Sequence, residues 1–250
     1  MNIGYTNEFD FVKEINGKKV KDQNPLFQDL IYTLFNNICG DDIVKSWRNH
    51  YSQKADIFIK IGTAMKGISI KMGSRNSVHV EHIDDFICFL KEHNIPNEII
   101  EKYLKFHYGD GTINNTGDIR LSAEEYKNNN QKEIDLINKY FSNQEIIYDA
   151  IERFVLKGNN CNYCIDAIIL GTPNDFIWIC KKDIINVLNN HYNDYCSSPH
   201  FSNLVCQPMN RCLNRNHKYE RFRSYVQIKW YSLFDNIIEQ KNDNIMKKYF

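Results

Sequence analysis

KADIFIKIGTAMKGISIKMGSRNSVHVE, residues 54–81, decides how this chain is read. Two runs rich in β-branched residues, DIFIKI (56–61) and KGISIKM (66–72), flank the short GTA segment and read as a β-hairpin. Side chains two apart on a strand share a face, so Ser69 and Lys71 project together, and hairpin pairing carries Asp56 back beside positions 70–72. Lys71 interrupts an otherwise apolar strand, Ile68-Ser69-Ile70-Lys71-Met72, and something specific is expected to hold it.

The flanks suggest helices around a sheet. NPLFQDLIYTLFNNI (24–38) spaces Leu26, Leu30, Ile31, Leu34 and Phe35 for one helix face, with Asn24-Pro25 as cap and first turn. SVHVEHIDDFICFLKEHN (77–94) is expected to be helical up to Ile95-Pro96. A shorter helix from 97, a polar loop over 107–125 and two helices broken near Ser142-Asn143 follow. NYCIDAIILG (162–171) and DFIWIC (175–180) read as paired strands, KKDIINVLNNHY as a helix, and SYVQIKWYSLF as a final strand running into a helical tail. The expected fold is α/β: a mixed, largely antiparallel central sheet flanked by helices. Residues 1–250 are read as a single domain, with a helical and loop insertion around 97–157 and a basic C-terminal segment around 200–230.

Composition narrows the function classes. Hydrophobic residues make up 42% and charged residues 25%, the balance of a globular protein. No apolar run approaches the roughly 18–20 residues of a membrane span, so no membrane partner is expected. The start, MNIGYTNEFDFVKE, lacks a secretory pattern, and a cytoplasmic location is expected. The eight cysteines then fit a reducing compartment better than a disulfide framework. Lys plus Arg equals Asp plus Glu at 31 each, so nucleic-acid binding must rest on local patches rather than a global field.

Phosphodiester hydrolysis needs an activated water, neutralised phosphate charge and help for the leaving oxygen, which cations held by carboxylates supply. A nearby lysine positions the water and offsets developing charge. Asp56 with ISIK therefore resembles the site of the PD-(D/E)XK nuclease superfamily, in which an aspartate on one strand precedes an acid-x-lysine on the next. The similarity covers about residues 25–95. It implies a restriction-endonuclease-like fold, with Asp56 as first acid and Lys71 as the lysine. Ser69 stands where the family has Asp or Glu. Some members recover that charge from the following helix, where Glu81 is the matching acid, and Asp84 and Asp85 are placed less favourably. Gln28 and Asp29 stand in the region of the family's first-helix glutamate and receive little weight. By this resemblance Asp56 and Glu81 ligate Mg²⁺, with Mn²⁺ as a substitute, Lys71 orients water, and Ser69 makes a hydrogen bond near the metal. The reaction implied is sequence-specific hydrolysis of double-stranded DNA leaving 5′-phosphates, with a homodimer matching a palindromic target.

QPMNRCLNRNHKYERFRSYVQIKW (207–230) interleaves cations and aromatics as nucleic-acid surfaces do. His200, Asn210, Arg211, Arg215 and Lys218 are the candidate DNA contacts. Cys161 and Cys164 have metal-ligand spacing, but the second close pair of a structural zinc site is missing, so zinc is not expected. Asp166, an acid among apolar residues, is read as half of a core salt bridge. Two competing functions remain: a DNA-binding or defence protein that keeps the nuclease fold with a degenerate site, and a zinc-stabilised binding module.

Overall fold

A computed structural model describes residues 3–51, 54–73, 76–159, 163–190, 198–213 and 217–249. Arg215, Cys161 and Cys196 lie outside the described residues. The architecture is mixed α/β, mostly antiparallel sheet flanked by helices. The chain divides into two units: residues 1–76, 156–187 and 232–250 form the first, and 77–155 with 188–231 the second.

In the first unit, α1 (Ile3–Ile15) and α2 (Pro25–Leu34) precede β1 (Lys45–Arg48), β2 (Ile57–Ile61) and β3 (Ala64–Lys71). The side chain of Asn24 accepts from the Phe27 N–H and Pro25 sits in the first turn, so α2 starts where its local sequence stops competing. The hairpin forms with Ile57 opposite Ile68, and Gly62 turns it at φ +58°. Parallel pairing joins β3 to β5 (Ala167–Thr172), which pairs with β6 (Asp175–Cys180), giving the order β1-β2-β3-β5-β6. Ile57, Ile59, Ile61 and Ile68 pack with Phe11, Phe27 and Phe176 from α1, α2 and β6. Those rings meet at centroid distances of 4.9–5.8 Å. Each such side chain, fully buried, contributes about 1.5–3 kcal/mol.

The second unit begins with a departure from expectation. Residues 77–82 are a strand, β4 (Ser77–His82), and the helix starts only at α3 (Ile83–Glu92), where the His82 ring accepts from the Asp84 N–H. Val78 forms a β-bulge between Ser77 and His79, and the β-branched Val78 and Val80 favour this extended path. Helices α4 (Asn97–Tyr108), α5 (Ala123–Phe141) and α6 (Gln144–Ala150) follow, then a π-helical stretch, Ile151–Lys157. After α7 (Lys181–Asn190), which belongs to the first unit up to Val187, come β7 (His200–Phe201), β8 (Leu204–Pro208), the short α8 (His217–Glu220) and β9 (Tyr225–Trp230); α9 (Leu233–Tyr249) belongs to the first unit again. The antiparallel order is β4-β9-β8-β7. One sheet face, with Val226, Ile228 and Trp230, is buried, and aromatic residues pack around it, including Phe141 stacked on Phe201 at 4.3 Å.

Candidate active site

The hairpin brings Asp56 and Ser69 together. Asp56 immediately precedes β2, and its Oδ2 accepts from the Ser69 hydroxyl at 3.0 Å and from the Ile70 N–H at 2.6 Å. Ser69 is 1% exposed, so its hydroxyl is committed to this one carboxylate oxygen. Both donors converge on Oδ2, which leaves Oδ1 for a further partner. Lys71 lies two residues beyond Ser69 on the same strand face and is half-buried.

A second acid joins them from a helix that the sequence pattern does not announce. Burial pushes the Glu8 carboxyl up, and the like charge of Asp56 pushes it further, while Arg48 and Lys71 draw it down. Glu8 on α1 thus shares an electrostatic neighbourhood with both hairpin residues. Arg48 at the end of β1 reaches Glu8 Oε2 at 3.2 Å, and its guanidinium lies 3.5 Å from the centre of the Tyr5 ring. The residues gathered here are two carboxylates, two cations and a hydroxyl. Hard oxygen donors of this kind suit Mg²⁺ or Mn²⁺. Beside them, along α1, a cleft of about 520 Å³ is lined by Asn7, Asp10, Lys13 and Glu14 together with Met72 and Thr172.

Glu81 belongs to the second unit, on β4 rather than on a helix. Its side chain is fully buried, and Oε2 meets His79 at 3.2 Å and Arg153 at 3.0 Å. Burial opposes its ionisation, but these two partners hold its carboxyl below the usual range. Gln28 donates to the Lys21 and Gln23 carbonyls, and Asp29 is exposed. Asp166, just before β5, accepts from Lys66 at 3.0 Å, from the Gly67 N–H and from the Tyr163 hydroxyl, and so staples β3 to β5.

The basic C-terminal segment folds with Arg211 and Arg223 inside and Arg221 exposed. Arg211 is 7% exposed and donates to the Phe106 and Leu121 carbonyls, and burial pulls its guanidinium down to about 10. Arg223 is 1% exposed and pairs with Asp110. His200 is buried, its Nδ1 donating to the Ser198 carbonyl. Asn210 accepts from the Cys212 N–H. Lys218 lies 5.6 Å from the Tyr219 ring on exposed α8. Half-buried Cys164 precedes β5, and buried Cys206 lies on β8. Among the described residues no group of three or more His, Cys, Asp or Glu side chains is arranged to hold a metal. No helix among them is long and apolar enough to cross a membrane.

No protein-family model matches the chain, and no curated protein is significantly similar to it.

Proposed function

We propose that this protein is a Mg²⁺-dependent endonuclease that hydrolyses DNA phosphodiester bonds. The observation that carries the reading is the Asp56 carboxylate, fixed through Oδ2 by Ser69 and Ile70 and sharing its neighbourhood with Glu8 and Lys71. Two like charges held near each other raise the energy of the metal-free site, and a divalent cation relieves that repulsion. The donor set therefore fits the group. Asp56 and Glu8 would hold the cation, which supplies a Lewis acid at the phosphate and a more acidic water.

The remaining roles belong to the chain. Ser69 orients Asp56, so that the rotamer reaching outward is set before substrate arrives. Lys71 positions the attacking water and offsets charge on the phosphate. We assign the second metal-holding carboxylate to Glu8 rather than Glu81, because Glu8 is coupled to Asp56 and Lys71 while the Glu81 side chain is fully buried between His79 and Arg153. The restriction-endonuclease-like resemblance supports this reading, with an antiparallel three-strand run followed by a parallel partner for β3. A palindromic target would call for a homodimer.

Two observations favour a second reading, a DNA-binding protein without cleavage: Ser69 is neutral, and Arg48 already pairs with Glu8. Plasmid and phage DNA, methylated and unmethylated, incubated with the purified protein and Mg²⁺ or Mn²⁺ separate the two. Discrete fragments that disappear in both Asp56→Ala and Lys71→Ala support the nuclease. Intact DNA in every reaction with the unmutated protein refutes it.

A further inference from the structure

The stretch expected to contact DNA turns Arg211 and Arg223 inward and leaves Gln207 and Gln227 half-exposed. On β9, Val226, Ile228 and Trp230 are buried, so Tyr225, Gln227 and Lys229 project from the opposite face of the sheet. Register places Gln207 of β8 directly across from Gln227, Val80 of β4 on its other side, and Ser77 of β4 across from Lys229. These side chains are linked: Gln207 Nε2 donates to Gln227 Oε1 at 3.4 Å, and Gln227 Nε2 donates to Ser77 Oγ at 3.1 Å. The chain of bonds runs in one direction, so it ends on the Gln207 carbonyl oxygen as an acceptor and the Ser77 O–H as a donor.

Chemistry and size narrow the occupant of this face. Ser77, Val80, Gln207, Gln227 and Lys229 include no carboxylate and one cation, which complements an anionic partner. Oriented amides alternating donor and acceptor match the edges of base pairs, where glutamine pairs with adenine, while Lys229 is placed for a backbone phosphate. Val80 is 40% exposed and Tyr225 36%, surfaces suited to a thymine methyl group. The β8-β9 pair, with axes about 4.8 Å apart, has the width of the two-stranded ribbon that a major groove about 12 Å wide admits.

We propose that this open face of the β4-β9-β8 sheet reads base edges in the major groove of duplex DNA, with Gln207 and Gln227 as its specificity-determining residues. The proposal deepens the reading of the chain as a DNA endonuclease and rests on its DNA-directed part. Neither glutamine is in the candidate active site.

The test is selection of bound duplexes from a random-sequence DNA library by the Asp56→Ala protein, repeated with Gln207→Ala, Gln227→Ala and Lys229→Ala added, each variant first checked for an unchanged thermal melt. The expected result is an enriched motif that relaxes at one or two adjacent positions in the glutamine variants. Affinity for the preferred duplex should fall about 5- to 150-fold, while Lys229→Ala should weaken all sequences alike and reduce the salt slope by about one. An unchanged motif and affinity in both glutamine variants, or no duplex bound at all, overturns the proposal. Cleavage by proteins with intact Asp56 is recorded in parallel, so that the two readings fail separately. Motif-selective binding that Gln227→Ala relaxes, without cleavage, removes the nuclease and keeps the reading face; cleavage with site preference indifferent to Gln227→Ala does the reverse.

Discussion

Replacing Asp110 by asparagine should unfold the second unit far more easily than so small a change suggests. Asp110 Oδ2 receives Arg223 Nη2 at 3.2 Å and the Gly117 N–H at 3.2 Å, while Oδ1 receives the Thr112 N–H and hydroxyl. The exposures of Arg223 and Asp110 are 1% and 0%, so water cannot replace the lost charge. In Asp110→Asn the amide oxygen keeps Thr112, and the new NH₂ meets two donors where it has nothing to accept with. Breaking one partner of a buried ion pair costs about 3–5 kcal/mol. Arg223 retains the Tyr108 and Arg211 carbonyls, each at 3.3 Å, and the Glu220 carboxylate 3.8 Å from its Nε, which places the expected loss near the lower limit, about 3 kcal/mol. With a urea slope of about 2 kcal/mol per molar, the midpoint followed by circular dichroism should fall by roughly 1.5 M. Arg223→Met should cost less, since Asp110 keeps its other donors. An Asp110→Asn midpoint within about 0.5 M of the unmutated protein would refute the buried-charge argument.

Burial lowers His107 to about 4, its Nε2–H donating to the Arg223 carbonyl at 2.7 Å. The unfolded ring binds protons from about pH 6.5 and the folded ring only near 4, so stability is lost as pH falls through that window, by about 2 kcal/mol at pH 5. Urea melts of His107→Asn at pH 7 and pH 5 should lack that part of the loss; an identical pH dependence would count against it. Calorimetric titration with Mg²⁺ should show affinity reduced at least tenfold in Glu8→Gln and unchanged in Glu81→Gln, and the reverse order would return the second carboxylate to Glu81. Ser122 accepts from the Glu125 N–H while Glu125 reaches back to the Ser122 N–H, so Ser122→Ala should cost about 1 kcal/mol in a thermal melt. No measurable loss would show that this cap is dispensable.

The hairpin, the capped α2, the break at Ser142-Asn143 and the β5-β6 pair were legible because each is written locally, in alternation, caps and turn residues. Residues 77–82 were not, because Ile83, Phe86, Ile87 and Leu90 set a helical period that can be extended backwards over Ser77 to His82, and the bulge that buries Val78 and exposes Val80 erases a strand's alternation. Helix α1 escaped notice because Phe11 and Ile15 are buried while Tyr5 and Phe9 stay exposed, which blurs its apolar stripe. With α1 went Glu8, whose place beside Asp56 depends on tertiary packing across almost fifty intervening residues. Only the spacing Glu8–Phe11–Ile15, an acid on the shoulder of an apolar stripe, hinted at it. Arg211 and Arg223 misled for a related reason: charge in a sequence reports what a residue carries, while Asp110 and the Phe106, Tyr108 and Leu121 carbonyls, all far upstream, decide where it goes.

The parallel pairing of β3 with β5 matches Ile68 with Ala167 and Lys71 with Leu170, so nearly a hundred residues are synthesised between one strand and its partner. During translation the Asp56–Ser69 hairpin emerges with its β3 edge unpaired, and it stays so while most of the second unit is made. Closing so long a loop is entropically slow to initiate, although its cost grows only with the logarithm of length. The nascent chain therefore passes through a stage in which a strand bearing Ile68 and Ile70 is open to pairing with other molecules, and expression yield should depend on how quickly residues 77–155 fold and deliver β5 to it.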